Sequence, residues 1–372
     1  MTAHETSSEA AQVRQPITDE MLRAWGVAEK DFADAREMVE ADLDALEVRG
    51  PLHFDFGPDK LGEFEALDMQ TAEGRVVEAQ GTLDVPTFTR LFGWDLHHPS
   101  VDLIRRNPWR GFDSLRVIGA SDEILAALAE DEKATQIWIH GHVSADDVKR
   151  AEEEVAEETE WLQGEIAKLL ESGEITQDDA DQQTWPECQH REGGSTLTDD
   201  GLRSLTGHPH LKELSLRGAD ITDAALAEVL STLPQLTQFD IVCDTVTGDF
   251  LQHIAAGEMT VLGIVSSALR GDAIALPPMP QAVAVDLVGP GVLDGLDSAA
   301  LARALPALES LRIGDYGRES GLDDDRMLDV FAHFPGVEVN GLTMSRKAVE
   351  KVARKRGLTL NLSDTSEAAP TA

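Results

Sequence analysis

Histidine, cysteine and aspartate recur in this chain at spacings that metal or acid-base chemistry could use. His140-x-His142 places two imidazoles on one face of a strand, because side chains two apart in a strand point the same way. Cys188-x-His190 and His208-x-His210 repeat that local spacing. A zinc site needs three or four converging ligands, usually announced by a loop such as Cys-x2-Cys or His-x3-His. The chain has no such loop, so these pairs read as ordinary polar residues and no metal or other cofactor is expected. Asp323-Asp324-Asp325 follows Gly321-Leu322 and fits the acidic first turn of a helix. A calcium loop would require alternating ligands and a closing Glu. Nucleophile elbows of the Gly-x-Ser-x-Gly type, phosphate loops ending in Gly-Lys-Ser/Thr and dinucleotide Gly-x-Gly-x-x-Gly turns are also missing in convincing form. No catalytic residue is assigned. An enzyme would have to draw on the less regular N-terminal part, through His53, Asp55 or the His140/His142 pair.

The elements that would position a site are clearest between Leu197 and Ile241, where one pattern occurs twice. Leu197-Thr198-Asp199-Asp200-Gly201-Leu202 opens the first copy and Ile221-Thr222-Asp223-Ala224-Ala225-Leu226 the second. Each Thr stands where its hydroxyl can cap a helix, and each Asp near the positive end of that helix's dipole. Pro209 then leads to Leu211-x-x-Leu214-x-Leu216, and Pro234 to Leu236-x-x-Phe239-x-Ile241. Residues two apart in each strand share one apolar face. Pro280, Pro306 and Pro335 keep the same phase ahead of Ala282, Leu308 and Val337. Gly257 fills the double interval ahead of Met259-x-x-Leu262-x-Ile264. Phe112-x-x-Leu115-x-Val117 and Ala134-x-x-Ile137-x-Ile139 extend the template upstream, with a helix over Ser121–Glu130 between them.

This pattern resembles the leucine-rich repeat, nearest to the ribonuclease-inhibitor-like and cysteine-containing classes, over about residues 191–362. The resemblance implies an α/β solenoid with parallel strands on a concave face and helices on a convex one. A single strand and helix cannot bury their own apolar face, so such units come in arrays. Two departures are visible. Between Ile264 and Ala282 the residues Pro277-Pro278-Met279-Pro280 favour an extended segment over a helix. The last strand, Val337-x-x-Asn340-x-Leu342, carries Asn340 where an apolar residue is expected; it reads either as an inward ladder residue or as an error of register.

In this architecture the residues between the inward ones face the concave surface. Lys212, Glu213, Ser215 and Arg217 come from the first strand, Thr237, Gln238, Asp240 and Val242 from the next, then Thr260, Val261, Gly263 and Val265, then Val283, Ala284, Asp286 and Val288, and finally Glu309, Ser310 and Arg312. Val242, Val261, Val265, Val283, Ala284 and Val288 form an apolar stripe rimmed by charge. Monomers seldom leave a large apolar patch open without a use for it. The expected function is therefore a non-catalytic protein-interaction module that binds its partner on this face. An acidic inhibitor or immunity-type binder of a cationic protein is the alternative within binding.

Sixty-nine acidic and 31 basic residues give a formal net charge of −38. That field disfavours nucleic acid and anionic membranes and favours a cationic protein partner. Acidic residues that simply keep an extended protein in solution would give the same composition. Glu152, Glu153, Glu154, Glu157, Glu158 and Glu160 crowd a long helix expected over Ser144–Ser172. Basic residues gather instead in a terminal helix over Ser345–Arg356. Two distant cysteines make no disulfide framework, and no run approaches the roughly 20 apolar residues that span a bilayer. A cytoplasmic location is expected; oligomeric state is open.

The rest of the chain divides into a polar tail over 1–17, an N-terminal helical or α/β segment over 18–108, degenerate repeats with the charged helix over 109–190, and a polar tail over 363–372. Amphipathic helices are expected from Thr18 to Gly50, then a strand at Leu52-x-Phe54-x-Phe56. Residues 59–108 read as irregular. Leu358-x-Leu360-x-Leu362 reads as a last edge strand.

Overall fold

A computed structural model describes residues 14–71, 73–92, 94–112, 115–140, 156, 159–160, 162–164, 166–173, 197–255, 257–314 and 324–360. The fold is mixed α/β. Its largest sheet has ten strands and is mostly parallel. The chain falls into two compact units, Met1–Arg116 and Val117–Ala372. Among the described residues no helix is long and apolar enough to cross a membrane.

The first unit begins with α1 (Asp19–Ala24), capped by the Thr18 hydroxyl, and α2 (Phe32–Arg49). Leu22, Phe32, Leu43 and Leu46 bury one face of this pair against Ile17 and Phe88. Then come β1 (Leu52–Gly57), β2 (Glu63–Asp68), β3 (Glu73–Glu78), β4 (Gly81–Val85), β5 (Thr89–Phe92) and β6 (Trp94–His97). Helix α3 (Val101–Arg106) follows. The stretch expected to be irregular thus holds five strands. They escaped notice for a physical reason: β3 is an edge strand exposed along nearly its whole length, so no apolar alternation marks it. Phe54, Phe56, Phe64, Trp109 and Phe112 form the aromatic core of this unit, with Phe64 and Phe112 centroids 5.0 Å apart edge to face.

The second unit alternates strands with return segments. Strands β7 (Leu115–Ile118, entering from the first unit), β8 (Gln136–His140), β9 (Glu213–Arg217), β10 (Gln238–Val242), β11 (Val261–Val265), β12 (Ala284–Val288) and β13 (Ser310–Gly314) follow in sequence order. From β8 to β13 the pairing is parallel without a register slip: Ile137 faces Leu214, then Phe239, Leu262, Val285 and Leu311. All six are buried. Helices α4 (Asp122–Ala129), α5 (Asp199–Arg203), α6 (Asp223–Leu230), α7 (Ser298–Ala304) and α8 (Asp325–His333) make five of the returns. The return before β11 is a short 3-10 turn at Asp249–His253. The return before β12 is a 3-10 turn at Gly271–Ala273 followed by extended chain, in keeping with its prolines.

Successive returns are tied by a repeated bond pair. The Asp122 carboxylate accepts from the Thr198 N–H and hydroxyl, both at 2.7 Å. Asp199 does the same for Thr222 at 2.8 Å each. Asp223 accepts from the Thr247 N–H and hydroxyl and from the N–H groups of Gly248 and Phe250. One Asp thus satisfies N–H groups that the start of the next return would otherwise leave unpaired. A second ladder runs past the strand ends, where Cys243 Sγ bonds the Ala219 carbonyl at 2.8 Å and Ser266 Oγ the Val246 carbonyl at 2.6 Å.

Two regions break the regularity. Gln136 and Glu213 lie side by side although 77 residues separate them, whereas Ser215 and Asp240 on the next pair are 25 apart. The excess is an insertion between β8 and β9. Of the helix expected over 144–172, residues 144–155 lie outside the described residues. The helical residues that are described include buried Leu162, Ile166 and Leu169. At the other end, the expected strand through Asn340 is cut short. Strand β14 is only Glu338–Val339, Asn340 and Gly341 take positive φ, and β15 (Leu342–Thr343) returns antiparallel. Helix α9 (Arg346–Lys355), capped by Ser345, covers this end with Ala348, Val349, Val352 and Ala353 inward. Residues 358–360 are not a strand, which corrects the expected edge strand there; residues 361 and 362 lie outside the described residues.

Candidate functional site

The face of the sheet opposite the buried leucines is built from residues that alternate with them, and the parallel register sorts these into three rows. The first is Gln136, Glu213, Gln238, Val261, Ala284 and Ser310. The second is Trp138, Ser215, Asp240, Gly263, Asp286 and Arg312. The third is His140, Arg217, Val242, Val265, Val288 and Gly314. The described members of the first row are all half-buried, while in the third only Arg217 is not buried.

The stripe expected from the sequence therefore divides. Val242, Val265 and Val288 pack on one another as a separate apolar cluster and keep only 7%, 4% and 2% exposure, so they offer no open floor. Val261 and Ala284 are half-buried and Val283 is 36% exposed. Of the rim residues, Lys212 and Glu309 are exposed, and Glu213 accepts a 3.0 Å hydrogen bond from the Gln136 amide.

The charge chemistry joins the second row to Arg217 of the third. Arg217 donates to Asp240 Oδ2 from Nε at 3.2 Å and from a terminal nitrogen at 3.1 Å, and the Ser215 hydroxyl donates to the same oxygen at 3.1 Å. Gly263 on β11 separates Asp240 from Asp286. A Cβ added at Gly263 would lie 2.4 Å from Asp240 Oδ1, so the glycine is what lets this carboxylate lie across the neighbouring strand. The Asp286 carboxylate accepts no hydrogen bond and makes no close ion pair among the described residues. Burial pushes its carboxyl up to about 6; Arg312 and Arg217 oppose that shift, and Asp240 adds to it.

No protein-family model matches this chain, and no curated protein matches it.

The other residues singled out in the sequence do not converge. No group of three His, Cys, Asp or Glu side chains that could hold a metal forms among the described residues. His140 is buried in the third row, and His142, Cys188 and His190 lie outside the described residues. The buried His208 bonds the Asp131 carbonyl through Nε2 at 3.1 Å, and His210 is exposed. His53 on β1 pairs with Asp84 on the adjacent β4 at 2.6 Å, both exposed, while Asp55 accepts from the Gly57 N–H. Asp324 is the N-cap of α8, held below the usual carboxylate range chiefly by its hydrogen bond from Arg326. Sequence reasoning placed Ser215, Asp240, Gly263 and Asp286 on this face but assigned no role to Ser215 or Gly263. The signal for Gly263 was available: a glycine at the middle of an otherwise apolar strand marks a close approach.

Proposed function

We propose that the chain is a non-catalytic protein-interaction module, built as a leucine-rich repeat solenoid, that binds its partner on the outer face of the parallel sheet. The observation that carries this reading is Asp286. A half-buried carboxylate without a hydrogen bond costs folding free energy, and groups held at such a cost cluster at functional sites. It stands beside Val261, Ala284 and Val283, so apolar contact and charge meet on one patch. The regular repeat supports the architecture: unslipped parallel register from β8 to β13 and Asp-to-Thr ties between returns.

The test is affinity capture from the native lysate with the full chain, run beside a Val261→Asp/Val283→Asp variant and a Glu228→Arg variant on the exposed surface of α6. Loss of one protein in the first variant alone, with thermal stability intact in both, supports the reading. Retention in the first variant, or equal loss in both, rejects it.

A further inference from the structure

We infer that this face receives a basic side chain, a partner lysine or arginine flanked by apolar residues, with its cation between Asp240 and Asp286 above Gly263. This rests on the reading of the sheet as an interaction surface and adds to it the chemistry of the contact.

The second row holds two carboxylates, Asp240 and Asp286, and one guanidinium, Arg312, and Arg217 of the third row adds a second cation. Arg217 and Ser215 both spend their hydrogen bonds on Asp240 Oδ2. Asp240 Oδ1, which lies over Gly263, and both oxygens of Asp286 accept nothing among the described residues. Three acceptor oxygens therefore border a floor that has no side chain of its own. An ammonium carries three donors and a guanidinium five, which fits this demand. A divalent cation fits it less well, because two carboxylates fall short of the six or more oxygens of a calcium shell. A partner carboxylate would add a third negative group. Immediately before Gly263 and Asp286 on the same face stand Val261 and Ala284, with exposed Val283 beside them, so the segment bearing the cation meets apolar contact on that side.

The contact is sensitive to acid. The charged groups that face Asp286 are Asp240 from β10, Arg217 from β9 and Arg312 from β13. Protonation of Asp286 removes one attraction to the cation and leaves Arg217 and Arg312 opposing it, so binding weakens as pH falls through about 6.

The experiment pans a random dodecapeptide display library against the full chain at about pH 7.5 and measures the recovered peptides by calorimetry. The expected peptides carry a Lys or Arg between apolar residues. They bind Asp286→Asn about tenfold more weakly than the unchanged chain, and weaken similarly at about pH 5. Asp286→Asn keeps the shape of the side chain and removes a half-buried charge, so it is expected to fold. General attraction to an acidic protein cannot give this result, because the substitution removes only one unit from a net charge of −38. Peptides that lose affinity on Val283→Asp but keep it on Asp286→Asn overturn the cation contact and leave the interaction face standing. Peptides indifferent to both substitutions, or no recovered peptides, count against both readings.

Discussion

The side-chain amide of Asn340 pairs with both backbone polar groups of Ile313, accepting from its N–H and donating to its C=O at 2.7 Å each. An amide side chain here takes the part of a peptide in the next strand, at the point where the chain turns back. Asn340 has φ +48, a left-handed conformation that Asn tolerates better than most residues. Replacing it by Leu removes both bonds and adds backbone strain. The expected loss is about 2–4 kcal/mol in urea unfolding. Asn340→Gly keeps the backbone and loses only the amide, and is expected to cost less. Equal costs for the two would mean that the backbone strain contributes nothing, and a costless Asn340→Gly would mean that the amide bonds contribute nothing.

The ties between returns predict a graded series. Asp223 accepts four hydrogen bonds from Thr247, Gly248 and Phe250, whereas Asp199 accepts two from Thr222. Hydrogen bonds to charged groups contribute about 1.5–3 kcal/mol each when buried, less where exposed. Asp223→Ala should therefore destabilise more than Asp199→Ala, by at least about 1 kcal/mol. Guanidinium denaturation of both variants, with matched m-values, checks the order. A larger cost at Asp199 would refute the assignment.

Gly263 and Asp240 form a coupled pair. A methyl at position 263 would press on Asp240 Oδ1, whose partner oxygen is held by Arg217 and Ser215. Gly263→Ala is expected to cost about 1–3 kcal/mol, as overpacking does. Truncating the carboxylate in the double variant Gly263→Ala/Asp240→Ala removes the clash. The double-mutant cycle should show favourable coupling of at least about 0.5 kcal/mol. Additive costs would mean the two side chains do not meet.

The Asp286 carboxyl titrates at about 6 in the folded chain against an ordinary value of 3.8. The folded state then holds this proton over a range where the unfolded state has released it. Stability from this group is fully present below the unfolded value and declines as pH rises toward 6. Asp286→Asn should remove that decline and raise stability at neutral pH by about 2–3 kcal/mol. Thermal unfolding from about pH 4 to 8 measures it. An unchanged pH slope, or a destabilised variant at neutral pH, contradicts the placement of this carboxylate.

Much of the second unit was legible because its signal repeats. Leu214, Phe239, Leu262, Val285 and Leu311 stand in one phase after their leads, and that phase fixes both strand and inward face. The extended return before Ala282 followed from its prolines. The division of the valine stripe was not legible, since period two assigns Val261 and Val265 to the same face and says nothing of how far down the strand that face is closed. Asn340 was legible as an anomaly only, because a polar residue in strand phase looks alike whether it joins a ladder or ends one. The strands of the first unit lacked the alternation that would have revealed them, most plainly exposed Val76 on β3. Asp286 was placed on the right face, yet its lack of a donor depends on side-chain geometry: Arg312 stands next to it in register without bonding its carboxylate, and Arg217 bonds Asp240.

The most direct measurement of the central claim is site-specific photocrosslinking in the native host, with p-benzoylphenylalanine placed in turn at Val283, Lys212 and Glu228. Val283 and Lys212 are the exposed residues that lead into β12 and β9, next to the first row of the outer face, and Glu228 is on α6. The account predicts one shared crosslinked protein from the first two positions and none of it from Glu228. The same protein captured mainly through Glu228, with Val283 and Lys212 silent, would contradict it.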